Sequence, residues 1–238
     1  MTINYINTQV KSNETLYDYG LKKYLITVYQ YMAFALSLTA ITAICIANSP
    51  YIIYIIHNSI LRWFVALAPL AMAFYMGSRL MSINRTTAQI CLTVFSTLMG
   101  LSLSSIFIVF TSESIARVFF ITASTFAIMS IYGSNTNRDL SSIGSFLTMG
   151  IIGLLISSIV NIFLKSSAIY FISSIIGVII FVLFTAYDTQ RIKELYYQSD
   201  SSEEVISKIA IYGSLTLYMD FINLFIVLLQ LLGVRKSD

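Results

Sequence analysis

The stretch IAIYGSLTLYMDFINLFIVLLQLLGV, residues 209–234, decides the fold. A bilayer core of ~30 Å takes roughly 20 apolar residues in helix. This stretch is long enough, and it holds one charge, Asp220. The same pattern recurs upstream. No charge lies between Lys23 and Arg62, between Arg85 and Ser112, between Arg117 and Asn137, between Asp139 and Leu164, or between Lys165 and Tyr187. A shorter run, 63–78, is flanked by Arg62 and Arg79, whose long stems can snorkel to the headgroups. Spans are expected near 24–47, 61–81, 87–111, 115–133, 143–164, 167–190 and 209–233. Runs such as Ile175–Phe184 are unbroken, whereas membrane strands alternate in polarity over ~10-residue segments. The expected fold is an all-α integral membrane protein, a bundle of seven transmembrane helices.

Composition agrees. Of 238 residues, 57% are hydrophobic and 11% charged, and the mean hydropathy is +0.81. A soluble domain is nearer ~45–50% apolar and ~25% charged. The net charge of +3 is scattered and points to no nucleic-acid surface. Three segments are expected: a polar N-terminal arm (1–22), the transmembrane domain (23–234) and a short basic tail (235–238). The arm has no apolar core of the kind a cleavable signal peptide carries. Cys45 and Cys91 fall inside apolar spans and read as small buried hydrophobes. With a single His, His57, in an outer loop, neither a zinc site nor a histidine triad can be assembled, and no cofactor is expected.

Orientation follows from Lys and Arg. With the N-terminus in the cytoplasm, the inner segments carry Lys11, Lys22, Lys23, Arg79, Arg85, Arg138, Arg191, Lys193 and Lys208, nine in all. The outer ones carry five: Arg62, Arg117, Lys165, Arg235 and Lys236. A re-entrant last helix would move Arg235 and Lys236 inside and raise the bias, so the side of the C-terminus stays open.

Ser96, Gly100 and Ser104 recur every four residues on the third span. Gly150, Gly153, Ser157 and Asn161 line one face of the fifth. Small residues at this spacing let helices approach in lipid; a polar lining of a water path is the alternative. Pro69 is expected to kink the second span.

The acids inside spans carry the functional signal. Asp220 lies ~18 Å beyond Lys208 along a helix rising ~1.5 Å per residue, near mid-membrane. An aspartate there costs on the order of 2.5–3.5 kcal/mol on insertion scales, so it is expected to face the bundle interior. Gly213, Thr216, Asp220, Asn223, Val227 and Gln230 step along one face of that helix. Asp188 is expected at the end of the sixth span, where an acid opposes the helix dipole. Its bland role is a local pair with Arg191; its functional role is to meet Asp220. Asp220 needs a partner, and Asp188 is the only other acid placed inside a span. Contact would follow if the last helix began late, after a surface segment over Ser201–Lys208.

At these residues the sequence resembles the Bax inhibitor family of transmembrane Bax-inhibitor-motif proteins. The match is carried by Asn137-Arg138-Asp139-Leu140-Ser141-Ser142-Ile143-Gly144-Ser145-Phe146. It is carried also by Phe184-Thr185-Ala186-Tyr187-Asp188-Thr189-Gln190-Arg191-Ile192-Lys193 and by Tyr218-Met219-Asp220-Phe221-Ile222-Asn223-Leu224-Phe225, with weaker support from Leu98–Ser104. It runs from roughly residue 20 to 233. The resemblance implies a central seventh helix surrounded by six. It implies a pH-sensitive calcium leak channel of the bacterial inner membrane, with Asp188 and Asp220 as sensor and ion pathway. An arginine latch carries over to Arg79, with Arg85 as the other candidate. The region around Ala68 and Pro69 lacks an acid that some relatives carry, and the long basic tail of the animal members is missing.

Two carboxylates in a low-dielectric site resist double ionisation and titrate as a unit. Calcium wants ~6–8 oxygens and the pair supplies at most four, so a weak transit site is expected, supported by Asn223, Thr216 or main-chain oxygens, with Arg191 nearby. Protonation would remove the latch's partner, so acid would favour opening. Other classes compete. A regulator of a membrane-bound protease would use the N-terminal arm as a recognition tail. A proton-coupled transporter would use the same acids, but no inverted repeat is evident. A retinal receptor needs a lysine inside the last span, whereas Lys208 and Lys236 lie at its ends. An aspartyl protease would need flanking Tyr-Asp and Gly-x-Gly-Asp type motifs, which are not both present, so no enzyme is expected.

Overall fold

Each apolar run forms a helix, and most begin on a residue whose side chain caps free main-chain N–H groups. The computed structural model describes residues 2–52, 58–199 and 202–236, with side chains from residue 19 onward; His57 lies outside this set. Helix α1 runs Thr2–Ala47, so the polar arm and the first span share one helix. Asn58 accepts from the N–H groups of Ile60 and Leu61 and opens α2 (Ser59–Arg79), which continues through Pro69. Asn84 opens α3 (Arg85–Leu103) through Thr87 N–H. A single turn, α4 (Ile106–Val109), follows. Thr111 caps α5 (Ser112–Asn135), which leads to α6 (Ser141–Leu164). Ser166 caps α7 (Ser167–Gln198) and Ser202 caps α8 (Glu203–Leu232). Asn, Ser and Thr suit these places because their short side chains reach the first-turn donors.

Among the described residues, seven helices are long and apolar enough to cross a membrane, α3 and α4 together making one span. The break inside that span falls at Ser104 and Ser105, whose hydroxyls donate to the carbonyls of Leu101 and Ser102 and loosen the helical ladder there.

The helix α8 is the most enclosed. In its apolar window 56% of residues are buried, against 33% or less in the other spans. It packs on α7, α1, α5 and α3. Phe95 meets Tyr218 edge-on, and Phe119 and Phe126 meet Phe221. The helices α2 and α6 are peripheral: α2 packs chiefly on α3 and α6 on α7. Exposed Ile152, Leu155, Ile156, Ile159 and Phe163 give α6 an apolar outer face, the surface a bilayer solvates.

Three expectations are corrected. Asp188 is not at a helix end, because α7 continues to Gln198. The charged segment Arg191–Gln198 stays helical because Ile192 is buried and Tyr196 stacks on Tyr24 of α1 at 5.2 Å between ring centroids. The last helix does not begin late; it is already helical at Glu203, and Lys208 pairs with Glu204 within it. Cys91 is buried, but Cys45 is exposed on the outer part of α1, so only one of the two is a core residue.

The chain after α8 has a defined neighbour. Thr111 N–H donates to Val234 O, Lys236 N–H to Val109 O, and Val234 N–H to Ser114 Oγ. The chain after α8 is therefore tied to the connection between the third and fourth spans. The end of α8 and that connection thus lie at one end of the bundle, the arrangement a full seventh crossing requires.

Candidate functional site

The helices α7 and α8 run antiparallel and close on each other through two glycines. A Cβ at Gly213 would touch Ile192 at 3.1 Å, and one at Gly177 would touch Val227 at 3.1 Å. Asp188 and Asp220 lie between these contacts, 5% and 6% exposed. Their carboxyls are neighbours and act on each other electrostatically. Asp220 Oδ2 is enclosed, and no N–H or O–H among the described residues reaches it. Two deprotonated carboxylates can only accept, so their contact needs a proton or a cation between them.

The cation beside the pair is Arg191, one turn along α7, with Nη1 4.0 Å from Asp188 Oδ1 and its side chain half exposed. The structure therefore pairs Asp188 with Arg191 and not with Arg79. Arg79 is exposed at the end of α2, a peripheral helix packed on α3 and not beside α7. Arg85, the other latch candidate, is exposed at the start of α3. Thr216 and Asn223 are half-buried on α8, and the Thr216 hydroxyl donates to Tyr212 O of its own helix. Among the described residues no three His, Cys, Asp or Glu side chains converge, so the pair stands without a third protein acid.

Hydrogen bonds from other helices hold the surroundings in place. Ser130 of α5 bonds Thr189 at 3.0 Å and also Tyr29 of α1. Thr39 of α1 bonds the Tyr218 hydroxyl at 2.7 Å and donates to Ser96 O or Ala35 O at 2.9 Å. Gln190 ties α7 to the loop before α6: its Oε1 accepts from Leu140 N–H at 2.8 Å and its Nε2 donates to Arg138 O at 2.9 Å. In that loop the Ser141 side chain and, at 2.8 Å, the Ser141 main-chain N–H face the Asp139 carboxyl and hold it below the usual carboxylate range. Gln190, Ser130, Thr189, Tyr29 and Thr39 had no individual signal in the sequence. Gln190 stood only as one letter of the 184–193 segment.

The two small-residue stripes divide. A Cβ at Gly100 would meet Thr39 O at 2.6 Å, so the α3 stripe is a contact with α1. Gly153 has open space beside it. Gly150 packs on Ile180, and further along α6 Ser157 and Asn161 line a cavity of about 420 Å³ with Ser173, Ser174, Gln230 and apolar side chains such as Leu154 and Val227, so that stripe is part helix contact and part mixed lining.

Over residues 21–237 the chain matches the family described as "Inhibitor of apoptosis-promoting Bax1". This chain belongs to the Bax inhibitor family. Bacterial Bax inhibitor relatives align with it over nearly their whole length. An uncharacterized protein of Rickettsia prowazekii is 44% identical over 97% of this chain and 97% of its own length. The inner membrane protein YbhL of Escherichia coli K12 is 41% identical over 91% of this chain and 94% of its own. An uncharacterized membrane protein of Streptococcus pyogenes serotype M1 is 28% identical over 91% and 94%. The Bax inhibitor match spans all seven crossings from Leu21 on and includes both buried acids. Within it, the 137–146 and 184–193 segments touch: the Gln190 bonds join them.

Proposed function

We propose that this Bax inhibitor family protein is a passive calcium leak pathway whose gate is the Asp188–Asp220 pair. The observation that carries the reading is Asp220 Oδ2, an enclosed carboxyl oxygen with no protein donor and another carboxyl as its neighbour. A proton or a cation satisfies such an oxygen, and the pair titrates as a unit. With both carboxylates charged, a cation shared between them holds α7 against α8 and the contact stays closed, with Arg191 adding attraction at Asp188. Protons on both carboxyls displace that cation, and acid favours opening. Calcium takes ~6–8 oxygens, so at a pair that offers at most four it keeps water or borrows main-chain oxygens. That is weak, transient binding, as a leak requires. The chemistry is passage, not catalysis. We place the protein in a plasma membrane with its N-terminus in the cytoplasm; the nine-to-five charge count and the inner membrane named for YbhL support this.

The test is calcium flux into liposomes carrying the purified protein, over a pH series. Flux is expected to rise as pH falls, and Asp188→Asn and Asp220→Asn each to flatten the pH profile. In the same assay Arg191→Ala is expected to raise the leak at neutral pH more than Arg79→Ala, because Arg191 touches Asp188. Wild-type pH dependence in both Asn variants would overturn the sensor, and absence of calcium flux at every pH would overturn the leak.

A further inference from the structure

A groove of about 360 Å³ opens between α1 and α5, away from the carboxyl pair. Both helices pack on α8, which forms the floor through Phe221, Ile222 and Phe225. Small side chains leave the space: Ala40 on α1 and Ala116 on α5, both exposed. The groove lies within helices long and apolar enough to span a membrane, so lipid tails are the medium that meets it. Its α1 wall runs from Leu36 to Ile44. That is ~12 Å at ~1.5 Å per residue, close to one leaflet's half of a ~30 Å core.

One end of the groove is basic. Phe107 lines it, and the Phe107 carbonyl accepts from Lys236 Nζ at 2.8 Å. Arg235 bridges to Phe110 through its main chain, and both basic side chains are exposed. Among the described residues, the acid at this end, Glu113, is paired with Arg117 at 3.0 Å. Thr111 opens α5 here, and a helix start favours negative charge. A slot of leaflet depth thus ends at the Lys236 ammonium, with Arg235 beside it in the chain. We propose that this groove is a binding site for an anionic phospholipid, with one acyl chain between α1 and α5 and the headgroup phosphate against Arg235 and Lys236. The site is separate from the calcium reading and stands or falls without it.

The test uses the full chain in vesicles with bromine on the acyl chains as a contact quencher. Trp63, the single tryptophan, is exposed on α2, so Trp63→Phe clears the background and Phe119→Trp places a reporter in the groove. Phe120→Trp, on the same wall, is the second reporter should the first fail to fold by circular dichroism. One arm titrates brominated phosphatidylglycerol into plain phosphatidylcholine; the other titrates brominated phosphatidylcholine into plain phosphatidylglycerol. Half-maximal quenching is expected at a mole fraction about fivefold lower for phosphatidylglycerol, the worth of one basic side chain at a charged membrane surface. Joint Arg235→Gln and Lys236→Gln is expected to bring the two arms together. Filling the groove with Ala40→Phe and Ala116→Phe is expected to lower quenching in both. Equal mole fractions in the unmodified site, a preference that survives neutralisation, or quenching unmoved by the filling variants would each overturn the proposal.

Discussion

At Gly133 a methyl group has nowhere to go. A Cβ there would overlap the main-chain carbonyl of Ala186, and backbone cannot rotate aside as a side chain can. Gly133→Ala must push α5 off α7 two residues before Asp188. The expected loss is ~1–3 kcal/mol, the range for an overpacked core, read as a lower thermal midpoint in detergent. An unchanged midpoint would mean that the two helices separate freely. Asp188 and Asp220 were legible in the sequence because an acid is expensive in an apolar span and must find a partner. The partners around them were not. Ser, Thr and Gln most often bond their own helix or water, and Thr216 does so. Whether Ser130 meets Thr189, or Gln190 meets Leu140, depends on which helices adjoin. Arg79 shows the same gap: charge counting places it at a membrane face, but not beside a particular helix. The Asp139 bond carries a pH signature of its own. Its carboxyl is held below the ordinary ~3.9, so its contribution is present above that value and is lost only as pH falls further.

The helices themselves were legible from run length, and their ends were not. Charge told the span-length rule to stop at Gln190, whereas the helix stops where packing does, beyond Tyr196. That extension, and not a late start of α8, sets Asp188 opposite Asp220. The turn between α6 and α7 holds the one left-handed non-glycine residue among those described, Lys165, at φ 49°. Its N–H bonds Asn161 O at 2.8 Å, and Asn161 Oδ1 takes the Ser166 N–H, so the turn is closed despite the strain. A side chain in this region costs roughly 1–2 kcal/mol. Lys165→Gly is expected to raise the thermal midpoint by the equivalent of about 1 kcal/mol, part of the relief being offset by glycine's greater freedom when unfolded. A lower midpoint would show that the Lys165 side chain contributes more than its backbone strain removes.

On the scale of the whole molecule, seven full crossings put the two termini on opposite faces. If the N-terminus is cytoplasmic, a cysteine introduced into the arm at Ser12 is labelled by an impermeant reagent only after the cell is opened. Labelling of intact cells would reverse the molecule. Four earlier helices, α1, α3, α5 and α7, pack around α8, which carries Asp220 and is made after them. A chain whose α7 and Asp188 have entered the membrane ahead of α8 has an unfilled slot among α1, α3, α5 and α7. Asp220 therefore enters lipid with its partner already waiting, which lowers the barrier to inserting an acid. The same order makes any product that stops short of α8 an open, apolar-lined bundle, a natural substrate for membrane quality control.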